Sequence, residues 1–383
     1  MASTAEAQPD LLARARAIHR RAIVIDTHAD TAQRLLDENL DLSGRDAEGH
    51  LDIPRMREGG LDAQFFSIWV DSKQGPHYLR RAIALIDAVL GQVERHPRDL
   101  ELARTAADIR RIARAGRIAV LLGVEGGHII EETPRVVDVL YRLGARYMTL
   151  TWSNSVSWAG SSGDEGKNRG LNEMGREIVR RMNRLGMMVD VSHVSDRTFY
   201  DVLDTTRAPV IASHSSARTL AHQPRNMTDD MLRALARNGG VVQINFYSAF
   251  LDNRYASEWT KTKKERDERR KVLVERWRGD PARLAREKRR LDLEYDAIMP
   301  RPSLEAIADH IDHAVKVAGV EHVGLGSDFD GALMPRGMED VSRLPHLTAE
   351  LLRRGHREAD LRKILGENLL RVMEQVEKVK SEK

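Results

Sequence analysis

Short apolar runs rich in Val and Ile alternate along this 383-residue chain with longer segments whose apolar residues recur at helical spacing. The runs predict strands at 23–28 (IVIDTH), 63–70 (AQFFSIWV), 118–125 (IAVLLGVE), 147–152 (YMTLTW), 187–193 (MMVDVSH), 209–214 (PVIASH), 241–246 (VVQINF) and 322–328 (HVGLGSD). Amphipathic stretches between them, such as HYLRRAIALIDAVLGQVERH, PRVVDVLYRLG, EMGREIVRRMNRLG and SLEAIADHIDHAVKVAG, predict helices. The last three close on Gly, as helix C-termini often do. Strand then helix, repeated eight times, predicts a (β/α)8 TIM barrel in one catalytic domain spanning 1–383, with its core at about 20–378. Residues 251–300 break the rhythm with dense mixed charge and a weak apolar stripe, which predicts one or two exposed helices inserted after the seventh strand. They would form either a solvated face or a lid or subunit contact over the site.

Composition narrows the function classes. The 41% apolar content supports a real core, while 61 basic against 58 acidic residues leave a formal charge of only +3. That balance gives no support to nucleic-acid binding, which calls for a basic face. No run approaches the roughly 20 apolar residues needed to span a bilayer. The opening MASTAEAQPD has no apolar core of a signal peptide, and its small residues fit the remnant of a trimmed leader. Cytoplasmic and exported locations both stay open. With no cysteine in the chain, disulfides, thiolate ligands and cysteine nucleophiles are excluded, so any metal must be held by His, Asp or Glu.

Candidate ligands fall where a barrel would collect them. His28 and Asp30 end the first strand, Glu125 the third, His193 the fifth, His214 the sixth and Asp328 the eighth. The C-terminal ends of barrel strands converge on the face where such folds build active sites. Two residues apart on a strand, His28 and Asp30 point to one side, which Asp26 shares. Together they make a cysteine-free N and O donor set suited to zinc or a similar divalent ion. Glu125 in GVEGG is placed to bridge two metals, each through one oxygen, and the glycines after it permit close approach. Asp328 in GLGSDFDG reads as a general base, with Asp330 the weaker candidate. Arg225 in HQPRNMTDD is placed to clamp a substrate carboxylate. Serines beside His193 and His214 are placed to cap the helices that follow. His19, His77, His96, His310, His313, His346 and His356 lie in polar or helical surroundings without evident partners and carry no assigned role.

These residues, with the motifs IDTHADT, GVEGG, VDVSHVSD, SHSSAR, RNMTDDML, GLGSDFDG and MEDVSRLPHLTAELLRRG, resemble the membrane (renal) dipeptidase family of the amidohydrolase superfamily over about 20–378. The gaps of 21 residues from His193 to His214 and 11 from His214 to Arg225 are similar to the family's own. The resemblance implies a metal-dependent hydrolase barrel with two zinc ions, one on His28, Asp30 and Glu125, the other on Glu125, His193 and His214. It implies Arg225 on the substrate carboxylate, Asp328 as acid/base, small dipeptide substrates with a D-residue tolerated at the C-terminal side, and a homodimer.

One position departs from the pattern. Family members usually carry a histidine after the fourth strand that helps polarise the scissile carbonyl, and here the matching position is Trp152, in TLTWSNSVSWAG. Asn154 is then the candidate replacement donor, or the metal alone polarises the carbonyl. Trp152 and Trp158 would make the pocket wall more aromatic. The departure keeps two rivals alive: an amidohydrolase of N-acyl amino acids, lactams or lactones, and a zinc-bound barrel with little catalysis.

Overall fold

The computed structural model describes residues 8–75, 77–164 and 168–381, so residues 1–7 of the segment read as a leader remnant lie outside the described residues. Among the described residues nine strands form: β1 (Ile25–Ala29), β2 (Ala63–Trp69), β3 (Leu100–Leu102), β4 (Ile118–Glu125), β5 (Ala145–Thr149), β6 (Met188–Asp190), β7 (Ile211–Ser215), β8 (Val241–Ile244) and β9 (Val323–Leu325). Eight of them run in the order β1-β2-β4-β5-β6-β7-β8-β9, all neighbours parallel, while β3 pairs in parallel with the first three residues of β4. This is a nearly closed (β/α)8 barrel. The eight expected strands are present, and β3 is an addition that three residues of LEL could not announce.

Every residue of β4 is buried, as expected of a parallel strand covered on both faces. One end of the barrel is packed solid: Ile25, Phe65, Leu121 and Ile211 cluster with Leu369, Leu370 and Met373 from the C-terminal helix Asn368–Ser381. That leaves the opposite end, where the strands finish, for chemistry. Helix boundaries follow local chemistry. Asn172 caps the helix Glu173–Leu185 at one end, and Gly186 at φ 74° closes the other. Ser195 caps Asp196–Thr205 as expected. The serines after His214 cap nothing: Ser215 accepts from Arg225, Ser216 donates to the Asn245 carbonyl, and Thr228 caps the next helix, Asp229–Arg237.

The barrel seam, like the β6–β7 junction with its one residue pair, has little backbone ladder. β1 meets the chain just past β9 through one bridge, Ala29 with Phe329, where Asp30 N donates to the Phe329 carbonyl at 2.8 Å, and through side chains. Asp26 accepts from Ser327 Oγ at 2.6 Å and Ser327 N at 2.8 Å, and Asp328 N donates to the His28 carbonyl at 3.0 Å. Thr27 Oγ1 reaches the carbonyls of Ser213 and Leu325.

After β8 the charged segment forms three helices rather than one or two: Asn253–Lys261, Lys263–Arg276 and Pro281–Asp296. They are not wholly solvated, since Arg289 pairs with Glu38 and Glu48 on the barrel side, and Tyr255 is fully buried with its hydroxyl on Asp296. Among the described residues no helix is long and apolar enough to cross a membrane.

Candidate metal centre

At the open end of the barrel, Glu125 closes β4 with its two oxygens facing different partners. Oε2 lies 3.2 Å from His28 Nε2, and Oε1 lies 2.9 Å from His193 Nε2 and 3.6 Å from His214 Nε2. His193 and His214 bring their Nε2 atoms to 3.0 Å, and Asp30 Oδ2 stands 3.7 Å from His28 Nε2. Donors about 2.0–2.1 Å from one tetrahedral ion lie about 3.3 Å apart, and these separations bracket that value. His28 Nε2 and Asp30 Oδ1 are buried without hydrogen-bond partners among the described residues. Buried polar atoms ordinarily find partners, so the donor set fits divalent cations better than it fits itself.

The electrostatics agree with that fit. Burial, with the nearby charges of Arg225 and His28, holds His193 down to about 4 and His214 well below the usual imidazole value, so both present a neutral lone pair. Burial opposes ionisation of Glu125, yet the imidazoles around it keep it well below the carboxylate range. Asp30 is pushed up to about 7 by burial and by the Glu125 charge. Burial also opposes the His28 imidazolium, but Tyr147, Glu125 and Asp30 lift its basicity above the usual value. Two carboxylates and an imidazole competing for protons is the signature of a site short of positive charge.

Neighbouring side chains fix which nitrogen faces the centre. Tyr147 donates its hydroxyl proton to the Thr27 carbonyl and lies 3.0 Å from His28 Nδ1, so it accepts from Nδ1–H and leaves Nε2 free to ligate. Gly123 makes room for that ring, since a Cβ there would stand 1.9 Å from Tyr147 Cζ. His214 is oriented by a longer chain: Nδ1–H donates to Ser213 Oγ at 2.8 Å, which donates to Asp190 at 2.6 Å. Ser67 donates to Glu125 Oε2 at 2.8 Å. Asp26, on the same side of the strand as His28, accepts from Ser327 and from the His28 backbone, so Tyr147 takes the orienting role. The Ser213→Ala variant is expected to lower divalent-metal affinity by about 10–100-fold, measured by competition with a chromogenic chelator. Unchanged affinity would exclude the Asp190–Ser213–His214 chain from metal binding.

Asp328 has a left-handed backbone (φ 66°) just past β9. Its Oδ2 accepts from Asn245 Nδ2 at 3.0 Å, while Oδ1 lies 4.0 Å from His28 Nε2, within ligand reach of His28 and Asp30. His193 is likewise left-handed (φ 65°), beyond the end of β6. Asp330 is tied down by Thr31, the His50 amide and Arg34, which suits a loop anchor more than a proton carrier. Arg225 donates to Ser215 Oγ and the His214 carbonyl at 2.8 Å each, and its buried Nε has no partner. Burial pulls it down to about 10, so it stays cationic at neutral pH.

A cavity of about 340 Å³ opens over the cluster, lined by Asp30, Glu125, His193, His214 and Asp328 together with Trp69, Trp152, Tyr247 and Phe250. Trp152 forms part of this wall, its ring 5.0 Å from Trp69 and 6.5 Å from His193. Trp158 does not: it is fully buried in the core. Asn154 is not among the lining side chains, and its amide donates to the Ser155 carbonyl; Ser153 lines the cavity instead. Ser67, Trp69, Tyr147, Asp190, Asn245, Tyr247 and Phe250 are participants that sequence reading missed. Asp190 alone had a visible signal, as a lone acid in an apolar strand. Several histidines without an assigned role do have partners: His19 bridges Gly59 and Thr348, His96 and His356 meet Asp41 and Asp312, and His313 meets Asp229. His310 accepts from the Ala217 amide and donates to Leu251, bracing the loop that leads to Arg225.

The sequence model of membrane dipeptidase, peptidase family M19, matches residues 12–383. An uncharacterized dipeptidase of Schizosaccharomyces pombe is 38% identical over 94% of this chain and 82% of that protein. Among solved structures, the probable dipeptidase PvdM of Pseudomonas aeruginosa superposes with a TM-score of 0.83 at 25% identity, covering 97% of this chain and 99% of that one. A metallopeptidase of Rhodobacter sphaeroides, liganded with a phosphinate mimic of the dipeptide L-Ala-D-Ala, does so with a TM-score of 0.75 at 29% identity, covering 93% and 99%.

Proposed function

The chain belongs to the membrane dipeptidase family of metallopeptidases, and from that premise we propose that it is a two-zinc dipeptidase whose substrates include dipeptides ending in a D-residue. The coarser statement, a metal-dependent dipeptidase, follows from the family. One observation supports the two-metal reading: the two Glu125 oxygens face different imidazoles, Oε2 that of His28, which has Asp30 3.7 Å away, and Oε1 those of His193 and His214. The D-residue reading is supported by the L-Ala-D-Ala mimic held by the 29% identical relative.

When bound, the cations supply the charge that polarises the scissile carbonyl and brings water deprotonation near neutral pH. The chain's own residues do the rest. Asp328 Oδ1, aimed at the donor cluster by the Asn245 amide on its other oxygen, takes the proton from the attacking water and returns it to the leaving amine. Arg225, with three of its five N–H donors uncommitted, holds the C-terminal carboxylate and so limits the substrate to very short peptides. Trp69 and Trp152 wall the cavity and exclude water from the reacting bond.

Trp152 in that wall also favours a second reading, an amidohydrolase of N-acyl amino acids, lactams or lactones. Metal analysis paired with a panel of L-L and L-D dipeptides, N-acyl amino acids, lactams and lactones on one sample separates them. Two zinc ions per chain with dipeptide turnover is the expected result. Turnover confined to the other substrates would select the second reading, and zinc without any turnover would leave a binding barrel.

A further inference from the structure

The three inserted helices do not balance their charges where they meet the barrel mouth. A second cavity, of about 420 Å³, lies between them and the loop after β9, with Trp259, Lys263, Arg266, Arg270 and Asp292 in its walls. It shares Tyr247 and Gly331 with the cavity over the metal centre, so the two adjoin. Arg270 is paired with Asp292 at 2.5 Å and Lys263 with Asp267 at 2.7 Å. Arg266 is different. It is only 4% exposed, its guanidinium lies 3.5 Å from the Trp259 ring centre, and its donors reach only Thr262 Oγ1 and the Trp259 carbonyl. Among the described residues it has no carboxylate ion-pair partner. The acids that act on it from a distance, Asp292 and Asp267, are committed to Arg270 and Lys263, so a guanidinium withdrawn from water and facing a cavity is left as a ready fork for a carboxylate.

The junction between the cavities tells which part of a substrate would enter. Gly331 sits directly against the acids of the centre: a Cβ there would stand 1.9 Å from Asp30 Oδ2 and 2.9 Å from Asp328 Oδ1. With Asp30 committed to metal, the Asp328 carboxylate is the one left to attract the free ammonium of a dipeptide, while Arg225 lies beside His214 and Ser215 to take the carboxylate end. The residue whose side chain passes Gly331 and Tyr247 is therefore the N-terminal one.

We propose that the Arg266 cavity is a specificity subsite for an acidic side chain, Asp or Glu, on the N-terminal residue of the dipeptide. This rests on the dipeptidase reading. A charge-assisted contact of this kind is expected to favour the acidic substrate by about 10–100-fold over its neutral isostere. The test compares kcat/KM for L-Glu-L-Ala with L-Gln-L-Ala, and for L-Ala-L-Glu with L-Ala-L-Gln, on the metal-loaded enzyme. A preference of that size in the first pair only, falling toward one in Arg266→Gln, supports the subsite. Equal rates in the first pair, a preference confined to the second, or an unchanged ratio in folded Arg266→Gln overturns it. Should Arg266→Gln fail to fold, Lys263→Gln on the exposed rim is expected to lower the first ratio by about threefold, and no change there counts against the proposal. If no dipeptide is cleaved at all, the functional reading fails separately. Calorimetric titration with glutarate against glutaramide then reads the subsite directly: glutarate binding weakened in Lys263→Gln supports it, and equal binding of the two ligands overturns it.

Discussion

Exchanging Glu125 for glutamine is expected to remove at least one of the two proposed metals and to lower kcat/KM by about 10³–10⁴-fold, the several kcal/mol that paired cations contribute at a developing oxyanion. The reasoning is stereochemical. A carboxylate offers lone pairs on both oxygens, and here Oε2 faces His28 while Oε1 faces His193 and His214. Glutamine keeps the shape but turns one side into an NH2 that has no lone pair to give, so it serves one donor group and repels the cation of the other. Elemental analysis of the purified variant, alongside circular dichroism to show that the barrel is intact, checks the first half. Dipeptide hydrolysis checks the second. Two full equivalents of metal in Glu125→Gln would remove Glu125 from the bridging position.

Asp328→Asn separates proton handling from metal binding. His28, Asp30, Glu125, His193 and His214 all remain, so metal content is expected to stay near the parent value, while kcat falls by about 10²–10⁴-fold with little change in KM. The amide can still accept the Asn245 hydrogen bond through its own oxygen, so the loop keeps its shape. What it loses is a group that can take and return a proton. Steady-state kinetics on any dipeptide that the parent hydrolyses gives the answer, and an unchanged kcat would show that another group carries the proton.

Most of the barrel was legible because its strands are apolar on both faces. IAVLLGVE reads as a strand over the residues that form β4, since nothing polar intervenes until the ligand at its end. β6 was overread by several residues. There the Asp190 carboxylate takes the amides of Ser192 and Ser213, drawing the chain off the ladder just after Asp190, and the run of apolar letters does not reveal this. The donor residues themselves were legible from their recurrence at strand ends. Their supports were not. Tyr147 meets His28, Asn245 meets Asp328 and Asp190 meets Ser213 only because strands apart in sequence become neighbours. The insertion's charge was equally plain in sequence, but that Arg266 would be buried without an acid depends on how its helix packs on Trp259.

The seam between β1 and β9 has a consequence for how the molecule fails. Six strand junctions are closed by ladders of three or more residue pairs and β6–β7 by one pair. The seam rests on one bridge, the amides of Asp30 and Asp328, and Asp26 with Ser327, in the segments that also carry His28, Asp30 and the proposed acid/base Asp328. Breathing at that junction, which costs far less than global unfolding, parts the proton carrier from the ligands while leaving the rest of the barrel standing. Inactivation on gentle heating or chelation would therefore run ahead of any loss of secondary structure, and bound metal, by drawing both flanks to common ions, would act as the rivet that keeps the cylinder shut.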